Sequence, residues 1–227
     1  MSIKAIYEDN HLLIVEKPPN ILSQGDSTGD ASMVDEVKNY LKYKYNKPGN
    51  VYVGLIHRLD RPVGGLLTIA KTSKAAKRLS EQLSTKTLKR KYLAIVEGTI
   101  DKASTLENYL IDNNGFVNVT NKETKDAVFA SLSLVPISTK NGNTLIEVEL
   151  FTGRKHQIRV QLSANNHPIL YDMRYGKGVK GKQIALWASQ LSLEHPTTKQ
   201  LLIFNSIPST SSFDDFMDDI KEFYKGA

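Results

Sequence analysis

The amino-acid sequence predicts an α+β fold, in which short strands alternate with amphipathic helices. Two apolar runs at 3–7 and 12–16, separated by a polar turn, indicate a strand pair near the N-terminus. Apolar residues within 33–45 and 73–83 recur at spacings of three and four, which is typical of helices. Further apolar or alternating runs indicate strands at 51–56, 66–70, 92–98, 145–150, 185–193 and 200–204.

The helix boundaries follow from side chains that cap free backbone N–H groups. Ser32 and Asp35 form a capping box before the first helix, and Thr72 or Ser73 caps the second. We expect the first helix to bury Val34, Val37, Leu41 and Tyr45. We expect the second to bury Ala75, Ala76, Leu79 and Leu83.

Residues 105–135 should hold short strands interrupted by polar residues, such as 116–119 and 127–135, before the alternating strand 145–150. The strands at 185–193 and 200–204 should pair through the turn at 195–198. Ser212 should cap a short C-terminal helix with Phe213, Phe216, Met217 and Ile220 on its apolar face. Because no second linker or repeat interrupts the pattern, we predict one domain over 1–227.

Composition excludes several kinds of site. The 227 residues contain no cysteine, so there are no disulfides and no Cys-ligated zinc. The five histidines show no metal-ligand spacing, and we expect neither a metal nor a nucleotide cofactor. No apolar run approaches the length of about 18 residues that a membrane span needs, and the first ten residues lack a signal-peptide pattern. We therefore expect a cytoplasmic protein with no membrane partner.

The charge distribution indicates an anionic partner. The net charge is +6 and the isoelectric point is about 9.3. Residues 213–227 contain five carboxylates against two lysines, so this segment carries −3 and the remaining 212 residues carry +9. A basic balance of this kind is typical of proteins that bind nucleic acid, although it is also common elsewhere.

The segment 54–67 is the most informative part of the chain. Asp60 is the one carboxylate in a short loop between two apolar runs, and it lies between Arg58 and Arg61. Pro62 and the glycine pair at 64–65 indicate a tightly shaped loop. Asp60 should be ionised at neutral pH beside two guanidinium groups, which suits a nucleophile or a base. The alternative is that Asp60 only pairs with a neighbouring arginine in a turn.

Tyr92 begins an apolar strand just after the basic run Lys86, Lys89, Arg90 and Lys91. A tyrosine in this position is more often a half-buried packing residue than a catalytic one. The basic run is either a solvated face or a phosphate contact.

A third segment, 152–162, places Arg154, Lys155, His156 and Arg159 within six residues after a strand. Gly153 breaks the strand and a helix follows, so backbone N–H groups and guanidinium groups should face the same region. That combination suits phosphate or carboxylate binding. The alternative is a basic helix start that offsets acidic neighbours.

Taken together, these segments resemble the RluA-type family of pseudouridine synthases. Residues 57–60 match its HRLD motif, 91–98 its tyrosine-containing strand, and 152–159 its TGRxHQIR motif. Residues 168–176 are similar to the family pattern PILGDxxYG, with Tyr171 where the family usually has glycine. The resemblance covers roughly residues 7–206, with the motifs in the same order.

The resemblance implies the pseudouridine synthase fold, with a central, mixed and mostly antiparallel sheet flanked by helices. It implies an active-site cleft lined by Asp60 as nucleophile, Tyr92 as the active-site tyrosine and Arg159 as the arginine that pairs with the aspartate. The expected activity is isomerisation of specific uridines in rRNA or tRNA, without a cofactor. The expected RNA-binding residues are His57, Arg58, Arg61, Lys91, Arg154 and His156.

Two other functions stay open at this point, a non-catalytic RNA-binding or ribosome-assembly module and an unrelated hydrolase that uses Asp60. We expect a monomer, and a catalytic domain alone, without the S4 RNA-binding domain that many relatives carry. The family commonly reads HRLDxxTSG, whereas this chain has Val63 and Gly64 at the Thr and Ser positions. The missing hydroxyls put the hydrogen bonding of the loop in question.

Overall fold

The computed structural model describes residues 3–226, which fall into two compact units. Of the described residues, unit 1 comprises 3–90 and 188–206, and unit 2 comprises 91–187 and 207–226. The chain passes from one unit to the other within strands, because β5 (Lys89–Glu97) and β10 (Leu186–Glu194) each contribute residues to both. The prediction of one domain over 1–227 stays a prediction.

Unit 1 is built from strands and two helices, and its pairs β1–β2, β2–β4, β3–β4 and β10–β11 are antiparallel. The strands are hydrogen-bonded in the order β1-β2-β4-β10, with β3 also paired to β4 and β11 to β10. The elements in chain order are β1 (Lys4–Glu8), β2 (Leu12–Lys17), α1 (Met33–Lys44), β3 (Gly54–Leu55), β4 (Gly64–Ala70), α2 (Ser73–Ser84) and β11 (Leu201–Asn205). The predicted pairs at the N-terminus and at 185–204 are confirmed, because β1 pairs with β2 and β10 with β11.

Both predicted caps in unit 1 are confirmed. The Ser32 side chain accepts from the N–H of Asp35, and the Thr72 side chain accepts from the N–H of Ala75. Each bond satisfies one of the backbone donors that a helix start leaves unpaired.

Two predictions in unit 1 need correction. The strand expected at 51–56 is reduced to Gly54–Leu55, because only these two residues pair with β4. Helix α1 buries Met33 rather than Val34, which is half-buried, and Tyr45 ends the helix with 44% of its surface exposed. The burial predicted for Val37 and Leu41 is confirmed, so the prediction is wrong only at the two ends of the helix.

The core of unit 1 lies between its strands and α2. Its buried apolar cluster comprises Leu12, Ile14, Ile56, Leu66, Ala70, Ala75, Leu79, Leu88, Leu191 and Leu193. These side chains come from four elements, β2, β4, α2 and β10, and from the segments beside β3 and β5, so their burial ties the N-terminal strands to β10.

Unit 2 is a five-stranded antiparallel array with helices after it in the chain. The strands are hydrogen-bonded in the order β5-β9-β8-β6-β7. The elements in chain order are β6 (Ser104–Asn113), β7 (Phe116–Thr120), β8 (Val128–Lys140), β9 (Asn143–Leu150), α3 (Gln157–Ala164), a 3-10 helix (Ser211–Phe216) and α4 (Met217–Lys225). The predicted α+β class is confirmed.

The sequence prediction of strands within 105–135 gave no separate bounds for β6, and it misplaced one cap in unit 2. Residues 104–113 are too polar for a clear strand pattern, yet they pair with β7 on one side and β8 on the other. Ser212 lies inside the 3-10 helix, which begins at Ser211, so its predicted capping role is wrong. The predicted apolar face is confirmed, because Phe213, Phe216 and Ile220 are buried.

None of the helices among residues 3–226 combines the length and apolar character that crossing a membrane requires.

A buried carboxylate, Glu8, joins α1 to the first strand of unit 1. Its oxygens accept hydrogen bonds from Tyr40 Oη at 2.7 Å, Lys44 Nζ at 2.7 Å, Tyr45 Oη at 2.7 Å and Lys71 Nζ at 2.8 Å. Burial by itself would raise the pKa of Glu8, but these four donors outweigh it and lower the pKa to about 2.

Replacing Glu8 should therefore flatten the acid dependence of stability. The pKa of Glu8 is lower in the folded chain than its ordinary value of 4.5, so its stabilisation is present above about pH 5 and is lost as the pH falls towards 2. We predict that Glu8→Gln lowers the free energy of unfolding at pH 7 by about 2–3 kcal/mol. Urea melts between pH 2 and 7 measure this difference. Glu123→Gln, at an exposed position, is the control, and an equal effect of both variants would contradict the prediction.

Candidate active site

The loop that carries Asp60 is held at both of its flanking residues by the segment that follows β2. Ser23 Oγ accepts from the Leu59 N–H at 2.9 Å and donates to the Leu59 carbonyl at 2.7 Å. The N–H of Asn20 donates to the Arg61 carbonyl at 2.8 Å. The backbone on each side of Asp60 is thus fixed to residues about 40 positions earlier in the chain, and we call this arrangement the backbone clamp.

Lys17 is the buried centre of the backbone clamp. Its ammonium group donates to the carbonyl oxygens of Pro18 at 3.1 Å, Ile21 at 2.7 Å and Arg61 at 3.1 Å, and the residue is 0% exposed. Burial lowers the pKa of Lys17 to about 7, while the negative charge of Asp60 acts in the opposite direction. Sequence analysis missed Lys17, and the adjacent prolines at 18–19 were the only local signal of a shaped loop.

A backbone hydrogen bond closes the Asp60 loop at Val63, one of the two positions where the family pattern has a hydroxyl side chain. The N–H of Val63 donates to the Asp60 carbonyl at 2.9 Å, and the Val63 side chain is buried. Gly65 has a φ of +115°, and a Cβ there would lie 2.3 Å from the Ala188 carbonyl oxygen. The glycine is therefore required both by its backbone conformation and by the close approach of β10.

The basic neighbours of Asp60 differ in their surroundings. Asp60 is half-buried and Arg58 is exposed, and the Arg58 guanidinium has no ion pair among residues 3–226. Arg61 is exposed and donates to Asp30 Oδ2 at 2.7 Å. The alternative in which Asp60 simply pairs with an adjacent arginine therefore has no support from the Arg61 side chain, since its ion pair is with Asp30.

His57 belongs to the interior. It is 5% exposed, its Nε2 accepts from the Thr68 N–H at 3.3 Å, and Thr68 Oγ1 lies 3.2 Å from the same nitrogen. Burial and the positive charge of Arg90 lower the pKa of His57 to about 3, so the ring is neutral. This placement favours a part in fixing the loop against β4 over the RNA contact expected from the sequence.

In unit 2, Tyr92 lies on β5 opposite Val148 of β9 and is 5% exposed. Lys91, the residue before it, donates to Glu147 Oε2 at 2.9 Å and is half-buried. The strand position of Tyr92 agrees with the sequence prediction, and its side chain is more deeply buried than the half-buried packing residue considered there.

Arg159 makes a bidentate pair with Asp172. Its Nε and one Nη donate to the two carboxylate oxygens at 2.8 and 2.7 Å, and both residues are buried. Asp172 also accepts from the backbone N–H groups of Arg174 at 2.9 Å and Tyr175 at 3.2 Å. Burial alone would raise the pKa of Asp172, but the bonds from Arg159 and its charge outweigh burial and lower it. Sequence analysis did not single out Asp172.

The start of α3 presents basic groups with defined partners. His156 has a φ of +54° and is half-buried, with its Nδ1 2.8 Å from Tyr175 Oη. Arg154 is exposed, and its Nε donates to the Phe129 carbonyl at 2.9 Å. The Gln157 side chain accepts from the Arg154 N–H at 3.0 Å and from Thr152 Oγ1 at 2.7 Å, which shapes the turn into the helix.

Tyr171, at the position where the family usually has glycine, has a φ of +63°. This left-handed conformation is uncommon for a bulky residue, which accounts for the usual glycine. The turn keeps the shape that brings the next residue, Asp172, to Arg159.

Asp60 lies in unit 1, whereas Tyr92 and Arg159 lie in unit 2. Within unit 1 the structure brings Asp60 together with Lys17 and the backbone clamp. Within unit 2 it brings Arg159 together with Asp172, Tyr175 and His156. The common cleft that the resemblance implies stays a prediction.

Comparison with known proteins identifies the family. The model of the RNA pseudouridylate synthase family matches residues 11–164, and the chain belongs to this family. The resemblance drawn from the sequence motifs is thereby confirmed.

Two relatives illustrate the similarity. Ribosomal large subunit pseudouridine synthase D of Nitrosomonas europaea is 32% identical over 219 residues, which cover 90% of this chain and 61% of the relative. Ribosomal large subunit pseudouridine synthase C of Buchnera aphidicola subsp. Baizongia pistaciae is 32% identical over 212 residues, covering 88% and 65%. The chain thus spans less than two thirds of the length of these relatives.

Solved structures agree on the fold. The human RNA pseudouridylate synthase domain containing 4 has a TM-score of 0.77 and 21% identity, with 96% of this chain and 93% of that chain covered. The human RNA pseudouridylate synthase domain containing 1 has a TM-score of 0.71 and 19% identity, with 100% and 96% covered. The predicted pseudouridine synthase fold is confirmed.

Removing the Lys17 ammonium should loosen the loop that carries Asp60. Lys17→Met keeps most of the side-chain volume but removes the hydrogen bonds to three carbonyl oxygens, and we predict a loss of about 2 kcal/mol in the free energy of unfolding. Hydrogen exchange should become faster at the Asn20 and Leu59 amides. Lys38→Met, at an exposed site on α1, is the control. Unchanged exchange at both amides would show that Lys17 does not hold the loop.

Breaking the Arg159–Asp172 pair should be costly, because the buried Arg159 guanidinium loses a bidentate, negatively charged partner. We predict that Asp172→Asn lowers the free energy of unfolding by about 3–5 kcal/mol. Chemical denaturation measures the change, with Asp101→Asn as an exposed control. A loss below about 1 kcal/mol would mean that Arg159 finds another partner or remains solvated.

Proposed function

We propose that this chain isomerises specific uridines to pseudouridine in rRNA or tRNA, with Asp60 as the nucleophile. Membership of the RNA pseudouridylate synthase family, over residues that include Asp60, Tyr92 and Arg159, is the observation that carries the proposal. The backbone clamp supports it, because a nucleophile must be held in place before the substrate arrives.

The reaction requires a nucleophile but no external reactant. Uridine and pseudouridine are isomers: the bond between N1 of uracil and C1′ of ribose breaks, and a bond between C5 and C1′ forms. The proton displaced from C5 is balanced by one gained at N1, so there is no net oxidation or reduction. The expectation that no cofactor or metal takes part stays a prediction.

Asp60 fits the nucleophile because it is a carboxylate in a shaped loop. In the proposed reaction it attacks C1′ as the uracil departs, and it leaves again when C5 attacks. The carboxylate must be ionised for this step, and in our proposal Arg159 pairs with it. The buried Asp172 holds the Arg159 side chain in one orientation.

Tyr92 fits a role at the detached base. A rigid, buried tyrosine on a strand can stack against uracil or transfer a proton at the base or sugar. Tyr92→Phe separates these roles, because it keeps the ring and removes the hydroxyl.

The exposed arginines beside Asp60 fit contacts to RNA. A uridine in a stacked helix must leave its stack to be reached, at a cost of about a few kcal/mol. We propose that Arg58, which is exposed and without an ion pair among the described residues, fills the vacated space or grips the phosphate backbone. Arg61, Lys91, Arg154 and His156 are the further proposed contacts, each with a protein partner that RNA would compete with or share.

Substituting Asp60 tests the nucleophile directly. Unmodified transcripts carrying tritium at C5 of uridine release it into water when the C5–C1′ bond replaces the C5–H bond. We predict release with the wild-type protein and a rate at least about 10³-fold lower with Asp60→Asn. Asp30→Asn, which removes the partner of Arg61, is the control and should stay within about tenfold of wild type.

Two results would contradict the proposal. Release by Asp60→Asn at the wild-type rate would exclude Asp60 as the nucleophile. Tight binding of these RNAs without any release by the wild-type protein would favour the non-catalytic RNA-binding module.

A further inference from the structure

The tip of the β6–β7 hairpin in unit 2 carries an exposed aromatic ring that the proposed chemistry does not use. Asn114 and Gly115 form the turn with φ values of +50° and +95°. Phe116, the first residue of β7, has 41% of its surface exposed. A large apolar side chain at a hairpin tip loses favourable burial unless something covers it.

The Phe116 ring packs against the ring of Tyr175. Its ring centroid lies 5.0 Å from that of Tyr175, with 40° between the planes. Tyr175 Oη accepts from the Val117 N–H at 3.0 Å and is bonded to His156 Nδ1 at 2.8 Å. The ring is therefore fixed against a tyrosine that is itself anchored to the hairpin and to the start of α3, and little side-chain freedom remains to be lost on binding.

One cation lies over this ring and a second lies beside the turn that precedes it. A Cβ at Gly115 would lie 3.9 Å from Arg174 Nη2 and 3.9 Å from Lys155 Nζ. The Arg174 guanidinium lies 5.5 Å from the Phe116 ring centroid and has no ion pair among residues 3–226. Lys155 pairs with Asp112 at 2.9 Å, with both side chains about half exposed. An exposed aromatic ring with cations beside it is an arrangement that binds a stacked base and its phosphates, and a base stacking on Phe116 would take the place of the Arg174 guanidinium over the ring.

We propose that the hairpin tip binds a single-stranded segment of RNA. The hairpin tip is defined as Gly115 of the turn and Phe116 of β7 together with the adjacent side chains of Lys155 and Arg174. One base stacks on Phe116, and Arg174 and Lys155 contact the neighbouring phosphates. The inference rests on the proposed function in taking that RNA to be part of the substrate, outside the uridine that reacts. A single strand fits better than a duplex, because only unpaired bases offer a free π-face.

Binding of fluorescein-labelled oligouridylate of about twelve nucleotides tests whether the hairpin tip binds single-stranded RNA. We expect Phe116→Ala to weaken binding about tenfold. Phe116→Leu, which keeps apolar packing on Tyr175 but lacks a π-face, should weaken it comparably, while Phe116→Trp should bind at least as tightly as wild type. The matched control is Phe129→Ala, which removes another partly exposed phenylalanine of the same unit, 39% exposed on β8.

The salt dependence separates stacking from charge. Arg174→Ala should reduce the slope of log K against log salt concentration by about 0.7, the value for one phosphate contact on a single strand. Phe116→Leu should leave that slope unchanged. Lys221→Ala, on the acidic C-terminal helix, is the control for loss of one positive charge.

Equal binding by wild type, Phe116→Ala and Phe116→Leu would overturn the inference, as would equal losses from the Phe116 and Phe129 variants. A preference of the wild-type protein for a duplex of the same length would overturn it as well. These outcomes do not depend on catalysis. If Phe116 variants lose binding while the wild-type protein releases no tritium from transcripts, RNA binding by the hairpin tip is supported and the proposed enzymatic function fails.

Discussion

The arrangement around Asp60 depends on one interaction, the hydrogen bonding of the loop backbone to the segment that follows β2. Ser23 both donates to and accepts from Leu59, and the buried Lys17 ammonium reaches the Arg61 carbonyl. An ammonium group without solvent is stable only if carbonyl oxygens or carboxylates surround it. The cost of burying Lys17 is therefore offset only while the loop keeps its shape, which couples the position of Asp60 to the fold of unit 1.

Unit 2 also contains a buried charged group that hydrogen bonds from its surroundings stabilise, but here the group is a carboxylate rather than an ammonium group. Asp172 is buried between the Arg159 guanidinium and two backbone N–H groups, and the turn that presents it needs a left-handed Tyr171. Neither buried charge could be predicted from the sequence, because lysine and aspartate are usually exposed and their burial here depends on residues elsewhere in the chain. What the sequence did indicate was Asp60 and Arg159, through motifs.

The same distinction holds for the fold. Local chemistry predicted the capped helix starts at Ser32 and Thr72, since a cap involves only three or four adjacent residues. The bounds of β6 within the predicted strand region 105–135 could not be given, because its polar sequence becomes a strand only by pairing with β7 and β8. The strand expected at 51–56 is shorter for the converse reason, because ladder pairing with β4 covers only Gly54 and Leu55, and Ile56 adds a single backbone bond, from its N–H to the Thr68 carbonyl at 3.2 Å. Tertiary pairing overrides local propensity in both cases.

The central claim is that Asp60 of this chain makes pseudouridine in cellular RNA, and mapping pseudouridine across total rRNA and tRNA tests it most directly. Cells lacking the gene should lose specific sites, which wild-type protein restores and Asp60→Asn does not. That result would also identify the RNA and the positions modified. Restoration of the same sites by Asp60→Asn would contradict the account.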